Sequence, residues 1–293
     1  MKIEKMLKRY RVENGKHFRL KDHDPGDTHG LDSEFKAEAK ELLTNGVQEL
    51  SHLQNVLAAQ DRWGLLMILQ AMDAAGKDGT IKHVMSGVNP QGVQVTSFKT
   101  PTQEELLHGY LWRTSQHAPA RGTIGIFNRS YYEEVLVVRV HPMVLENEKL
   151  PKVLVTKRIW QQRYEDINNF ERYLTRNGIA VVKFFLHLSK KEQKRRFMER
   201  LDTADKNWKF SAADVKEREF WDDYQQAYED AIRHTASAHG PWYVVPADHK
   251  WFTRLVVAQV VVDVLKKMDL EYPKLSGAQK KELAEARQEI AKE

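Results

Sequence analysis

One stretch near the beginning of the chain, from Trp63 to Thr80, most constrains the fold, because an apolar run there breaks into a glycine-lysine turn that opens a helix. The run from Leu65 to Leu69 has no polar alternation, which is typical of a central parallel strand covered on both faces. Gly76 and Gly79 permit a tight turn, and Lys77 adds a cation beside the free amides of a helix start, where the helix dipole favours an anion. The stretch therefore predicts a phosphate-binding loop.

This loop departs from the pattern G-x-x-x-x-G-K-[ST] at two positions. Ala71 stands where the first glycine belongs, and Asp78 stands where the magnesium-binding hydroxyl belongs. Asp73 adds a carboxylate inside the loop, and a carboxylate there repels phosphate unless a divalent cation or a substrate hydroxyl stands between them. Asp73 is therefore a candidate metal ligand, although it could instead cap a helix that begins near Ala75.

The composition excludes several kinds of chemistry. The 293 residues include no cysteine, so disulfides, thiol nucleophiles and thiolate metal sites are excluded. No stretch approaches about eighteen uninterrupted apolar residues, and the first residues lack the apolar core of a signal peptide, so we expect a soluble, cytoplasmic protein without a membrane partner. The net charge of +5 suggests an anionic partner without identifying it.

Strands and helices alternate along the chain. We predict strands over 65–69, 93–98, 121–127, 180–188 and 242–246, and helices over 33–60, up to 84, 103–115, from 131, 153–176, 190–202, 213–236 and 251–268. Strands separated by helices imply an α/β protein whose central parallel sheet has helices on both faces. We expect an extended N-terminal arm over 1–32, one domain over 33–272, and a charged C-terminal helix or tail over 273–293.

Two side chains at the end of the third strand are candidates for the same site, since a ligand of an open parallel sheet lies beyond the carboxyl ends of its strands. Asn128 stands where phosphate-loop enzymes commonly place the acid that holds Mg²⁺, and its carbonyl can coordinate a cation or hold a water ligand. Arg129 would neutralise the equatorial oxygens of a phosphoryl group in flight. Alternatively, Arg129 pairs with Glu133 or Glu134 and has no such role.

A basic segment follows the fourth strand. Residues 190–200 carry mostly lysine and arginine, and more lysines follow. Nucleotide kinases place a mobile, arginine-bearing lid at this point of the topology, where it closes over the phosphates, so we predict a helical lid over about 190–215. A solvated helix face with acidic neighbours is the alternative.

Several segments together resemble the polyphosphate kinase 2 family. They are Met72 to Gly79, Phe127 to Leu136, the basic segment, and Phe220 to Asp230, and the resemblance covers roughly residues 30 to 270. It implies a P-loop kinase-like, thymidylate-kinase-like three-layer fold that moves a phosphoryl group between inorganic polyphosphate and a nucleotide with Mg²⁺. The run Asn-Arg-Ser-Tyr-Tyr-Glu is similar to that of the subgroup associated with phosphorylating both AMP and ADP, whereas many members have Asp at the position of Asn128.

The resemblance implies a set of site residues. Asp73 and Lys77 belong to its Walker A site, and Asn128 and Arg129 to its Walker B position. We therefore predict Asp73, Lys77 and Arg129 as catalytic residues and Asp73 and Asn128 as metal ligands, with Glu133 as a possible substitute for Asn128. The predicted nucleotide- and polyphosphate-binding residues are Ala74, Ala75, Gly76, Lys77, Asp78, Gly79, Lys82, Asn128, Arg129, Glu133, Lys194, Arg195, Arg196, Arg200, Lys206 and Lys209.

The expected substrates and partners follow from that resemblance. They are inorganic polyphosphate, AMP, ADP and ATP, together with further copies of the chain in a homodimer or homotetramer, and no nucleic acid. Polyphosphate carries about one negative charge per unit, so a groove of lysine and arginine would bind it in a salt-sensitive way. Asp73 with Mg²⁺ would orient the acceptor oxygen for in-line attack, while Lys77, Arg129 and the lid arginines offset charge in a loose transition state.

Two other functions stay open at this stage. One is an ATP-dependent nucleoside or nucleotide kinase with a degenerate loop, which would need ATP as its donor. The other is a basic nucleic-acid-binding module with a vestigial loop, since aromatic and basic residues interleave from Trp208 to Phe210.

Overall fold

A six-stranded sheet forms the centre of the protein, whose computed structural model describes residues 3–31, 34–208 and 210–292. The strands are β1 (Arg11–Val12), β2 (Gly64–Gln70), β3 (Val93–Ser97), β4 (Ile124–Asn128), β5 (Ile179–His187) and β6 (Trp242–Pro246). Their order is β1-β6-β5-β2-β4-β3, and β1 alone pairs antiparallel, with β6. The carboxyl ends of β2, β4 and β5 therefore meet at one edge of the sheet.

Helices cover both faces of the sheet. Within the described ranges they are α1 (Ile3–Tyr10), α2 (Lys36–Gln60), α3 (Lys77–Val84), α4 (Trp112–Ser115), α5 (Val137–Val140), α6 (Met143–Glu146), α7 (Ile159–Arg176), α8 (Lys190–Asp202), α9 (Ala204–Asn207), α10 (Ala212–Glu217), α11 (Trp221–Thr235), α12 (Lys250–Lys266) and α13 (Gly277–Ile290). Short 3₁₀ segments lie at Leu20–Asp22, Pro90–Gly92, Glu105–Leu107, Tyr131–Val135, Lys152–Leu154 and Arg218–Phe220.

The alternation of side chains along β2 explains the three layers. All seven residues of this strand are buried. Leu65, Met67 and Leu69 pack in one core cluster with residues of α2 and α12, whereas Leu66 and Ile68 pack in the opposite cluster with residues of α7 and α11. Burying each such leucine contributes roughly 2 kcal/mol, so a strand that is apolar on both faces is stable only between two helical layers. The predicted three-layer α/β fold is confirmed.

Four predicted helices differ from those observed. The helix predicted from residue 131 is a 3₁₀ segment, Tyr131–Val135, followed by the short α5. The segment 103–115 forms only a 3₁₀ turn and the short α4, because Gly109 lies between them and glycine costs about 1 kcal/mol inside a helix. The helix predicted from residue 153 begins at Ile159. The one predicted over 213–236 is interrupted by a 3₁₀ turn at Arg218–Phe220, which separates α10 from α11.

The extended conformation expected for the N-terminal arm is wrong for its first residues. Residues 3–10 form α1, and β1 then adds an antiparallel edge strand to the sheet. Met6, Leu7 and Tyr10 share one helical face and are buried in the core, and the ring of Tyr10 contacts Phe252 of α12 at a centroid distance of 5.9 Å. The apolar residues of this short helix thus bury against α12.

The C-terminal helix α13 lies outside both core clusters. It begins with a capping box between Ser276 and Gln279, and all of its residues are exposed. No helix in residues 3–31, 34–208 and 210–292 combines the length and the apolar composition needed to cross a membrane.

Candidate active site

The loop between β2 and α3 has the shape of a phosphate cradle. Ala74 has φ 63° and Gly76 has φ 102°, so the backbone turns through the left-handed region twice before α3 begins. A residue with a Cβ costs about 1–2 kcal/mol in this region, so the conformation of Ala74 must be held by its surroundings. Gly76 is the N-cap of α3, which excludes Asp73 as the cap. Gly79 does not shape the turn, as expected from the sequence, because it lies inside α3 beside the guanidinium of Arg254.

Side chains of the predicted lid hold this loop in place. The guanidinium of Arg196 is 4% exposed and donates to the carbonyls of Ala74 at 3.0 Å and Ala75 at 2.9 Å. Its other nitrogens donate to the carbonyls of Ala247 and Asp248 and to Glu192, at 2.6, 3.2 and 2.8 Å. Arg196 therefore fastens the loop to the segment after β6, and its donors are engaged by carbonyl and carboxylate oxygens.

The end of β4 meets the loop from the other side. Arg129 has φ 63°, and its amide donates to the carbonyl of Leu69 at 3.0 Å. Its guanidinium lies 3.3 Å from a carboxylate oxygen of Asp73, and the amide of Asn128 donates to Asp78 at 2.7 Å. Both strand-end residues thus contact acids of the phosphate loop.

The predicted alternative for Arg129 is only partly realised. Glu134 pairs with Arg163 at 2.9 Å, while Glu133 lies close enough to influence the charge of Arg129. Burial opposes the charge of Arg129, but Glu133 and Asp73 outweigh it and raise the pKa of the guanidinium. Burial raises the pKa of Glu133 itself.

Lys77 is the first residue of α3, and its side chain turns back toward the phosphate loop. Its ammonium donates to the carbonyl of Ala71 at 2.9 Å. Burial lowers the pKa of Lys77, and the nearby carboxylate of Asp73 opposes that shift. A partly buried cation with a lowered pKa gains from an incoming anion, which would replace the solvation lost on burial. A phosphate in front of the loop is the ligand that this arrangement favours.

A cavity of about 470 Å³, here called the loop cavity, opens in front of these residues. Its lining consists of the phosphate loop, the ends of β3 and β4, and one arginine of α8: Asp73, Ala74, Ala75, Gly76, Lys77, Asp78, Gly79, Ser97, Phe98, Lys99, Asn128, Arg129 and Arg200. The cavity thus presents backbone amides, four arginine or lysine side chains, and the carboxylates of Asp73 and Asp78. These are the groups that phosphoryl transfer requires.

A second cavity of about 210 Å³ lies on the α12 side of the loop, and we call it the α12 groove. It shares Gly76, Gly79 and Arg200 with the loop cavity, and its other basic lining residues are Arg196, Lys206, Lys250 and Arg254. Lys250 and Arg254 are one turn apart in the first part of α12. The pKa of each is lowered, first by burial and then by the charge of Arg196. Cations held beside other cations indicate a site for an anion.

Sequence reasoning did not predict Lys250 and Arg254 as site residues. A signal was available, because α12 follows β6 and therefore begins at the carboxyl edge of the sheet, where ligands bind. Spacing of four residues places both side chains on one helix face.

The other predicted residues are distributed unevenly around the site. Lys206 lines the α12 groove and also contacts Glu199, while Arg200 lies 3.7 Å from Asp214. Arg195 is exposed and pairs with Glu192 and Glu199, so for this residue the solvated-face alternative describes the structure. Lys82 and Lys194 are exposed, and they and Arg195 lie outside the loop cavity and the α12 groove. Lys209 lies outside the described residues.

An apolar pocket of about 210 Å³ adjoins the loop cavity on the β3 side. It shares Phe98, Lys99 and Arg129 with that cavity and is also lined by Tyr110 and Glu133. A flat, apolar ligand group attached to a phosphate could lie here while the phosphate reaches the loop.

The acidic side chains near the loop suit a cation that keeps part of its water shell. Among the described residues no three His, Asp or Glu side chains converge closely enough to hold a metal by themselves. Mg²⁺ usually binds through one or two carboxylates together with substrate phosphates and water, so this arrangement fits it. Asp73 and Asn128 both line the loop cavity and carry oxygen atoms that can bind a cation.

Comparison with known proteins places the chain in a family. The sequence profile described as Polyphosphate kinase 2 matches residues 33–273. An ADP-polyphosphate phosphotransferase of Rhodopseudomonas palustris is 53% identical over 260 residues, covering 88% of this chain and 90% of that protein. An AMP/ADP-polyphosphate phosphotransferase of Meiothermus ruber is 46% identical over 275 residues, covering 94% and 98%. The crystal structure of polyphosphate kinase 2 from Arthrobacter aurescens superposes with a TM-score of 0.84 at 42% identity, covering 94% of both chains. The resemblance read from the residues is confirmed, and the chain belongs to the polyphosphate kinase 2 family.

Proposed function

We propose that this protein is a polyphosphate:nucleotide phosphotransferase that moves the terminal phosphoryl group of inorganic polyphosphate to ADP and AMP, and that the reaction is reversible with ATP. One observation carries the proposal: two cavities meet at a single phosphate loop, and both are lined by Gly76, Gly79 and Arg200. The phosphates of a nucleotide donor would occupy only the cavity at the loop, whereas a polyphosphate donor needs a second groove into which its chain extends past the loop. The names of the relatives from Rhodopseudomonas palustris and Meiothermus ruber support the same donor and acceptors.

The α12 groove is suited to the polyphosphate chain. Lys206, Lys250 and Arg254 line it together with backbone of the loop, and Glu199 is the acidic residue of its lining. Glu199 pairs with Lys206 at 2.5 Å, which offsets part of its repulsion for phosphate. A groove with this excess of cations binds a linear polyanion through release of counterions, and it needs no sequence of bases to read.

The loop cavity and the apolar pocket are suited to the acceptor nucleotide. The acceptor phosphate would lie before Lys77 and Arg129, and the base would extend toward Phe98 and Tyr110. Aromatic walls bind a base by stacking without strong selection for its identity. AMP and ADP would then differ only in how far the phosphates reach toward the loop.

Catalysis would consist of positioning and charge compensation. Mg²⁺, when bound by Asp73 and Asn128 with Glu133 nearby, would offset negative charge on the phosphates between donor and acceptor. Asp73 would orient the acceptor oxygen, and Lys77 would exchange the carbonyl of Ala71 for a phosphate oxygen. Arg129, already beside Asp73, would compensate charge on the phosphoryl group in transit.

The test is a luciferase assay with AMP or ADP, polyphosphate and Mg²⁺, and with no ATP added. ATP should form from ADP. We expect Asp73→Ala and Lys77→Ala to abolish turnover while the proteins stay folded, and Lys40→Ala, on the exposed part of α2, to behave like the unchanged protein. Substantial turnover by a folded Asp73→Ala or Lys77→Ala variant would reject the assigned roles.

The two competing functions predict other results. An ATP-dependent kinase would phosphorylate its substrate only when ATP is supplied, and would show no reaction with polyphosphate. A nucleic-acid-binding module would retain DNA or RNA on a filter at least as well as polyphosphate over several salt concentrations. The homodimer or homotetramer and the cytoplasmic location expected from the sequence stay predictions.

A further inference from the structure

A charged network is buried behind the site, in the helical layer of α7 and α11. Glu171 of α7 and Lys183 of β5 are both fully buried, and their charged groups are 2.5 Å apart. The ammonium of Lys183 also donates to the carbonyl of Thr235 at 2.8 Å. Neither charge reaches the loop cavity, so neither contacts a substrate there.

Besides pairing with Lys183, Glu171 accepts hydrogen bonds from two tyrosine hydroxyl groups. Tyr131 and Tyr132 donate to the same carboxylate oxygen, at 3.0 and 2.8 Å. Both rings are fully buried, and they follow Arg129 by two and three residues in the chain. Ser130 joins the segment to β2, since its hydroxyl accepts from the amide of Tyr132 at 3.1 Å and from Gln70 at 3.2 Å.

The turn at Arg129 needs such support from both sides. Its left-handed backbone, φ 63°, is unfavourable for a residue with a Cβ and persists only where the surroundings determine it. The amide of Arg129 is fixed on the strand side by the carbonyl of Leu69. On the helix side the two tyrosine hydroxyls are fixed by Glu171, so the turn is clamped between β2 and α7.

We propose that Glu171 is a positioning residue for phosphoryl transfer, acting through the hydroxyls of Tyr131 and Tyr132 to hold the turn that keeps the Arg129 guanidinium beside Asp73. The inference rests on the role of Arg129 in the proposed function. An apolar cluster of equal volume would serve stability as well as a buried ion pair does. The charged network additionally fixes the orientation of the segment that carries Arg129, because two hydroxyl donors of that segment bind the same carboxylate oxygen.

The experiment replaces only the two hydroxyls. In Tyr131→Phe/Tyr132→Phe both rings remain and the Glu171–Lys183 pair is intact, so the link to Arg129 is what changes. We expect kcat for ATP formation from ADP and polyphosphate to fall about ten- to hundred-fold, while KM for ADP stays within about twofold. Each single Tyr→Phe variant is measured as well, and each should show part of the loss even if the double variant folds poorly.

Two controls separate positioning from stability. Tyr164→Phe removes a buried hydroxyl that contacts Arg139 at 2.6 Å, away from the turn, and should leave kcat unchanged. In an Arg129→Lys background the same pair of Tyr→Phe changes should lower kcat by less than about twofold, because the guanidinium that the tyrosines help to position has already been removed. A role in stability alone would lower activity by the same factor in both backgrounds.

The outcomes distinguish the possible failures. An unchanged kcat in the single and double Tyr→Phe variants, or an equal loss in both backgrounds, overturns the positioning role. If Arg129→Lys and Arg129→Ala both keep full kcat, the role assigned to Arg129 in the proposed function fails, and the positioning inference fails with it. A loss with Arg129→Ala but none with the tyrosine variants overturns only the inference drawn here.

Discussion

Replacing Arg196 offers a test, because an anion-binding role and a structural role predict opposite changes in the free energy of unfolding. If Arg196 were an anion-binding residue of a lid, replacing it by methionine would relieve repulsion among the cations of the α12 groove and leave the fold as stable or more stable. In the structure its buried guanidinium instead donates five hydrogen bonds: two to carbonyls of the phosphate loop, two to carbonyls of the segment after β6, and one to Glu192. Arg196→Met should therefore destabilise the protein.

The size of the effect follows from those contacts. A hydrogen bond contributes about 1 kcal/mol net, more when the donor is charged, and a buried acceptor left unpaired costs a similar amount again. Relief of repulsion toward Lys250 and Arg254, whose pKa values Arg196 lowers, offsets part of the loss. We expect Arg196→Met to reduce the free energy of unfolding by about 3–5 kcal/mol, a large share of a typical total of about 5–15 kcal/mol.

Urea unfolding followed by tryptophan fluorescence measures this change. Arg195→Met is the matched control, because the neighbouring arginine contacts the same Glu192 but is exposed, and a surface pair contributes about 0–1 kcal/mol. Phosphoryl transfer by Arg196→Met should also fall, since Ala74 loses the contact that holds its left-handed backbone. A folded Arg196→Met protein with the stability of Arg195→Met would refute the reasoning.

Three further predictions concern the loop, the buried pair and one histidine. Gly76→Ala should lower the free energy of unfolding by about 1–2 kcal/mol and reduce activity, because φ is 102° at this position. Gly109→Ala is the control and should leave stability unchanged, because a Cβ at this position would meet open space. The midpoints of urea unfolding compare the two variants. Lys183→Met should cost about 3–5 kcal/mol in the same assay by leaving Glu171 buried without its cation. Burial lowers the pKa of His187 from 6.5 to about 4, so the unfolded chain binds this proton more readily and stability should decline as pH falls through that window, by about 3 kcal/mol in all. His187→Asn should flatten the decline, and an unchanged pH profile of the urea midpoint would contradict the assignment.

Much of the site was predictable because its residues follow strands directly. Asp73 and Lys77 follow β2, and Asn128 and Arg129 end β4. Parallel strands bring their carboxyl ends to one edge, so alternation of strands and helices was sufficient to bring these four residues together. The short N-terminal helix escaped prediction because its burial depends on α12, which lies far away in the chain.

The role of the lid residues was not predictable in the same way. Composition indicates that residues 190–200 are basic, and helical spacing places Arg196 and Arg200 on one face. It does not indicate that Arg196 turns toward loop carbonyls while Arg200 faces the loop cavity. That difference depends on which acceptors the loop and the segment after β6 place within reach.

The amino-acid sequence by itself determined the layered fold and the phosphate loop, because apolar periodicity and glycine placement act locally and need no knowledge of distant neighbours. Only the tertiary structure decided which charged side chains line a cavity and which ones form internal contacts. Lys250 and Arg254 line a groove, Arg196 braces a turn, and Glu171 with Lys183 forms a buried pair. A charged side chain takes its role from the partners within about 4 Å, and residues far apart in the chain supply those partners only after folding.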